Sequence, residues 1–185
     1  SIVSNRQQLS ITANGLTYFD GNMDFQVGEP GATCTVTFND PNFKYYLLAR
    51  NDINTLDDGE ISCDEATAFT GSIDVNGQSI TDLTGIEAFT ALTSLDCSNT
   101  GLTFLDVTSN TQLQTFNCSN NSIANLSFFG NSNLVTLVIG NNQLQNSINL
   151  SACTNLSFVN LANNQFTSLV LPATNTLTSL QCQGN

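Results

Sequence analysis

Apolar and polar positions recur with one period through the second half of the chain. LTSLDCSNTGL (92–102), LQTFNCSNNSI (113–123), LVTLVIGNNQL (134–144) and LSFVNLANNQF (156–166) put apolar residues at matching places, and LTSLQCQGN (177–185) begins another copy. The first leucines, Leu92, Leu113, Leu134, Leu156 and Leu177, are spaced by 21, 21, 22 and 21 residues. Alternation within each copy predicts a short strand with one face buried. A second alternating stretch follows in each repeat, at Leu105 to Val107, Leu126 to Phe128, Ile148 to Leu150 and Leu169 to Leu171. It predicts an extended segment on the opposite side, because a coil this short has no room for a full helix. An imperfect earlier copy, TGSIDVNGQSITDL (70–83), sets Ile73, Val75 and Ile80 at the core positions. The pattern predicts a solenoid over 70–185, with five full coils and a stub.

The polar column after each strand reads Thr100, Asn121, Asn142, Asn164, Asn185. Where a strand turns away, its backbone groups lose their ladder partners, and an unpaired buried group costs about 1–3 kcal/mol. An inward-pointing Asn offers both donor and acceptor, so a stacked column of them can satisfy every turn. The preceding residues, Asn99, Asn120, Asn141 and Asn163, suit a turn that needs unusual backbone angles. A third column reads Cys97, Cys118, Ile139, Leu161, Cys182. A free Cys packs as a small hydrophobe, so a buried thiol ladder is the expectation; disulfides or reactive thiols are the alternative. Parallel stacking of the side chains disfavours bridging between coils. The period and the L-x-x-L-x-[LC]-x-x-N-x-L pattern fall in the range of leucine-rich repeats.

The region before the repeats differs. Residues 1–39 mix strand-like pieces with turn residues and read as a small β element or linker. Residues 40–69 read as helix–loop–helix, with Asp40 as N-cap, Pro41 at the first helical position, and Phe43, Tyr46 and Leu47 on one apolar face. A second helix is expected near Asp64. Such a unit would cover the open end of the first coil, as a solenoid requires. Its loop fits part of a calcium-binding pattern: with Gly59 at place six, Asn54, Asp58, Glu60 and Glu65 take places one, five, seven and twelve. Place three, however, is Leu56, which offers no ligand. The alternatives are a calcium site and a relic loop that only turns the chain.

Net charge is −12, with Arg6, Lys44 and Arg50 the only basic residues, which argues against nucleic acid as a partner. No apolar run is long enough to span a membrane. Asp106 is the last charged residue, so 107–185 stays soluble through Asn, Ser, Thr and Gln. Neutral drift explains this, or else neutrality helps the surface lie against another surface at little electrostatic cost. The chain lacks His, the usual proton-transfer residue, and has no nucleophile motif, so it is not expected to be an enzyme.

The repeats with their Asn and Cys columns resemble bacterial extracellular leucine-rich repeat proteins of the internalin type. FNDPNFKYYLL, DGEIS, ITDLTGIEAF and LTSLDCSN resemble, more narrowly, secreted surface proteins of Bacteroidota-type bacteria. The resemblance covers roughly 36–185. It implies a curved right-handed solenoid with a parallel sheet on its concave face and an EF-hand-like cap. It also implies export, often by type IX secretion, and adhesion or protein binding. In an exported protein Cys34 and Cys63, both in the N-terminal region, are the expected disulfide. The sequence departs from the family at Leu56 and in showing no C-terminal cap or sorting domain. Together with a start at Ser1, this reads as a processed product, an excerpt of a longer chain, or a chain whose open end is covered by a partner.

Strand positions pointing outward define the expected binding face. The columns are Ser94, Thr115, Thr136, Phe158, Ser179, then Asp96, Asn117, Val138, Asn160, Gln181, then Ser98, Ser119, Gly140, Ala162, Gln183. Thr136, Val138, Phe158, Asn160 and Asn117 form the candidate site, with Phe158 as either an anchor or an isolated surface aromatic. The leading function is binding of a protein or glycan ligand at the cell surface. A structural subunit that self-associates through its uncapped end is second, and binding of ice or crystalline polysaccharide is third.

Overall fold

A computed structural model describes residues 34–185 and, before them, the backbone of two short antiparallel strands, β1 (Ile11–Ala13) and β2 (Leu16–Tyr18). The rest of the β element expected in 1–33 lies outside the described residues. The chain divides into two compact units, Ser1–Ala32 and Thr33–Asn185. The second unit holds the cap and all the repeats.

The cap is built around two short helices. In α1 (Pro41–Leu48) the Asp40 carboxylate accepts from the Asn42 and Phe43 amides, and Pro41 fills the position where no amide is needed. Phe43 and Leu47 are its buried residues, with Phe38 edge-on to Phe43 at 5.5 Å. In α2 (Cys63–Ala68) Ser62 and Glu65 form a reciprocal capping box. Residues before Asp40 belong with this cap: Val36 N donates to Ile61 O, Thr35 bridges to Ser62, and Cys34 is disulfide-bonded to Cys63. A boundary at 40 is therefore too late, because backbone pairing and a covalent bond hold 34–39 to the second helix.

The repeats form a parallel-sheet solenoid. Strands β3 (Ser72–Asp74), β4 (Ser94–Asp96), β6 (Thr115–Asn117), β8 (Thr136–Val138), β10 (Phe158–Asn160) and β12 (Ser179–Gln181) line up in one sheet. They pair in strict register, Ser72–Ser94–Thr115–Thr136–Phe158–Ser179, so one repeat advances one strand. The central residues Ile73, Leu95, Phe116, Leu137 and Val159 face inward and are buried. On the back, β5 (Phe104–Asp106) pairs with β7 (Asn125–Ser127), and β9 (Gln145–Asn149) with β11 (Gln165–Val170), all parallel. The expected second segment of each coil is thus a short strand. The leucines that open each repeat, Leu92, Leu113, Leu134 and Leu156, are fully buried between sheet and back.

Candidate functional site

The register sets Asn117, Thr136, Val138, Phe158 and Asn160 on three adjacent strands with their side chains on one face of the sheet. All five are half-buried, and Thr115 beside them is exposed. The third column lies on the same side of the sheet but is closed to solvent except at its end: Ser98, Ser119, Gly140 and Ala162 are buried, and Gln183 is exposed. The parallel ladder continues past the strand ends, with Asn99 N donating to Ser119 O and Asn120 N to Gly140 O. The Ser98 and Ser119 hydroxyls donate to Asp96 and Asn117 at 2.6 and 2.7 Å, which holds them against the strand ends.

The polar groups of the face divide into two halves. Towards the cap the column of Asp74, Asp96 and Asn117 is internally bonded, while the Ser72, Ser94 and Thr115 hydroxyls beside it have no partner among the described residues. Asp74 accepts from the Asn76 amide, Asp96 accepts from Ser98 and from Asn117 Nδ2 at 2.8 Å, and Asn117 Oδ1 accepts from Ser119. Val138 breaks this chain of bonds. Beyond it, Asn160 accepts from the Ala162 amide at 3.0 Å and lies over Gly140, where a Cβ would come within 2.8 Å of its Oδ1. Among the described residues, Asn160 Nδ2 and the hydroxyls of Thr115 and Thr136 have no hydrogen-bond partner within the protein.

Two inward-facing columns carry the coils behind this face; in the first, Asn142 and Asn164 are buried, Asn121 is half-buried and Asn185, in the outermost coil, is exposed. Asn121, Asn142, Asn164 and Asn185 each donate from Nδ2 to a carbonyl of their own coil and to one of the coil before, as Asn142 does to Ile139 O at 3.1 Å and Cys118 O at 3.0 Å. Their Oδ1 atoms accept from the turn of the preceding coil, Ile123 N in the case of Asn142. Asn99, Asn120, Asn141 and Asn163 all have φ of 54–56°. Sequence reasoning missed the second column, Asn110, Asn131 and Cys153. Asn110 Nδ2 donates to Ile86 O and Phe89 O, and Asn131 Nδ2 to Val107 O and Asn110 O. Its signal was the same spacing, three residues before each opening leucine.

Cys97, Cys118 and Cys153 are free and buried, whereas Cys182, expected to be buried, is exposed in the outermost coil. Burial raises the pKa of all three buried thiols, and the nearby Asp96 charge adds to this at Cys97 and Cys118. They are poor nucleophiles.

The calcium-loop residues do not converge. Asn54 Oδ1 accepts from the Asp57 amide, Asp58 Oδ1 from the Glu60 amide, and Glu60 pairs with Lys44 Nζ at 2.7 Å. Glu65, the expected bidentate closer, already accepts from Thr55 N, Thr55 Oγ1, Leu56 N, Ser62 N and Ser62 Oγ. Among the described residues no group of three acidic, His or Cys side chains could hold a metal ion. The residues therefore do not fit calcium, and Glu65 closes the loop on its own. Burial pushes this carboxyl up, but the donors from Ser62, Leu56 and Thr55 outweigh it and hold it at about 2, below its ordinary 4.5. A folded-state value below the unfolded one means that the stabilisation is complete above pH 4.5 and lost as pH falls towards 2. Glu65→Gln should flatten the stability profile in that window. An unchanged acid limb in chemical denaturation would refute the assignment.

Among known proteins, the profile of the endo-beta-N-acetylglucosaminidase EndoS LRR domain matches residues 59–183. The functional domain of InlJ from Listeria monocytogenes, described as including a cysteine ladder, superposes with a TM-score of 0.68 at 28% identity. That match covers 84% of this chain and 34% of the InlJ chain, so the chain spans about a third of its length. The internalin InlF from Listeria monocytogenes aligns at 20% identity with a TM-score of 0.43, over 77% of this chain and 43% of that one. No curated protein sequence matches. No helix among the described residues is long and apolar enough to cross a membrane.

Proposed function

The chain belongs to the leucine-rich repeat family represented by the EndoS LRR domain, and on that premise we propose that it is a non-catalytic, extracellular binding module whose ligand lies on the sheet face. One observation carries this reading: strict register places Thr136, Val138, Phe158 and Asn160 side by side on an extended, uncharged surface. Repeat proteins use such extended surfaces to bind partners. Export is supported by the Cys34–Cys63 disulfide, which persists in an oxidising compartment, while the buried thiols are kept from exchange. On this reading the partner is a protein or glycan at a cell surface.

The test is adsorption of the labelled chain to immobilised extracellular-matrix proteins, mucins and polysaccharides. Thr115→Arg, which puts a long charged side chain on the sheet face, should weaken adsorption about tenfold, as loss of about 1.4 kcal/mol would. Ser147→Arg on the back should leave it unchanged. Equal losses in both variants, or none with Thr115→Arg, would sink the reading.

A further inference from the structure

We infer that the part of the sheet face formed by β8, β10 and β12 takes an uncharged glycan, with one sugar ring stacked on Phe158. The inference rests on the sheet-face reading and narrows it to a ligand class. Its first support is the division of the face. Along the column of Asp74, Asp96 and Asn117 the side chains answer one another or their own turns, so a ligand reaching for these groups would have to break bonds already made, and only the Ser72, Ser94 and Thr115 hydroxyls beside them are open. Around Phe158 the side chains do not: the Thr136 hydroxyl and Asn160 Nδ2 have no partner among the described residues, while Asn160 is held in place by the Ala162 amide. Thr136 lies opposite Phe158 and Asn160 opposite Val138, so the hydroxyl and the positioned amide donor are diagonal neighbours, roughly 7–8 Å apart, and suit hydroxyls at opposite ends of a sugar unit, which both donate and accept.

Charge selects among ligands. Residues 107–185 contain no Asp, Glu, Lys, Arg or His, so a sulfated or carboxylated polymer would find no counter-charge here. The carboxylates at Asp74 and Asp96, further along the same face, would repel it. The apolar part of this region is one half-buried phenyl ring beside Val138. That is less than the desolvated cluster of Trp, Tyr and Arg on which protein partners usually anchor. It is enough for the C–H face of one sugar ring, which meets the negative face of an aromatic ring favourably.

The experiment uses the whole chain on an array of neutral hexasaccharides (cello-, manno-, chito-, xylo- and laminari-series) with hyaluronan and a sulfated glycan alongside. Binding of at least one neutral hexasaccharide is expected. Phe158→Ala should weaken it about tenfold, Phe158→Tyr should retain it, and Phe104→Ala, which removes an exposed ring on the back, should have no effect. Since Phe158 is half-buried, Thr136→Val serves as a second variant of unchanged shape, expected to weaken binding about fivefold. No binding of any neutral hexasaccharide, binding of the anionic glycans only, or indifference to both Phe158→Ala and Thr136→Val would overturn the inference. Adsorption to a protein that is lost with Thr115→Arg, with the neutral sugars unbound, would overturn the glycan assignment and leave the sheet-face reading standing. Adsorption that survives Thr115→Arg would remove the reading itself.

Discussion

Replacing Asn142 with leucine should lower the free energy of unfolding by about 2 kcal/mol, because one buried amide loses its only partner and two buried carbonyls each lose one of two donors, the others coming from Asn121 and Asn164. Those groups are Cys118 O, Ile139 O and Ile123 N, two of them on the preceding coil. The loss therefore falls on the coupling between coils. In a solenoid, where each coil contacts only its neighbours, weakening one junction lets the two sides unfold separately. Urea denaturation of Asn142→Leu should show a lower midpoint and a broader or split transition. The neighbouring Asn141 is the control. Its side chain is exposed and only links Asn120 to Asn163, but its φ of 56° is strained for most residues. Asn141→Gly should cost less than about 1 kcal/mol, and Asn141→Val about 1–2 kcal/mol through the backbone alone. If Asn142→Leu and Asn141→Gly melt alike, the buried column does not hold the coils together.

These asparagines were legible in the sequence because a period turns chemistry into columns. A polar residue at the same place in every coil must meet the same need each time, and turn amides at a strand exit are such a need. The strands, the extended back segments and the helical cap were legible for the same reason, or through capping chemistry at Asp40. Alternation alone did not show that the third outward column is covered: Ser98 and Ser119 bond back to Asp96 and Asn117 and are closed off from solvent. The calcium loop failed on geometry that spacing cannot show. Glu65 has the right place in the pattern, but the Ser62 capping box and the Thr55 and Leu56 amides occupy its oxygens. The Asn110–Asn131 column was overlooked because Phe89, Cys153 and Thr174 hold the same place in other coils, so no single residue type marks it.

The cap contributes something a hydrophobic lid would not, and its removal should have the other large effect. At the end of a parallel sheet the outer strand presents unpaired amides and carbonyls that invite another strand. On β3 the Asp74 amide donates to the Tyr46 hydroxyl at 3.1 Å, and Arg50 Nη1 donates to Ser72 O at 2.6 Å. Two side chains of the cap thus stand where a further strand would hydrogen-bond. The guanidinium is fixed from three sides. Its Nε and Nη2 grip both oxygens of Asp52, Nη1 also reaches the Tyr46 hydroxyl, and its plane lies 5.2 Å from the Phe69 ring centroid. The bond to Asp52, first among the contacts, raises the pKa of Arg50, which is charged at every accessible pH. Arg50→Ala should cost about 2–3 kcal/mol, the range for losing hydrogen bonds to a charged group. Combined with Tyr46→Phe it should leave both backbone groups open, and the protein should then associate with rising concentration more than the unmodified chain does. Arg50→Lys should recover only part, since one ammonium cannot hold Ser72, Asp52 and Tyr46 together. Denaturation and sedimentation velocity across a concentration series read the two effects separately. If the double variant sediments as the unmodified chain does and loses less than about 0.5 kcal/mol, these side chains do not guard the strand edge.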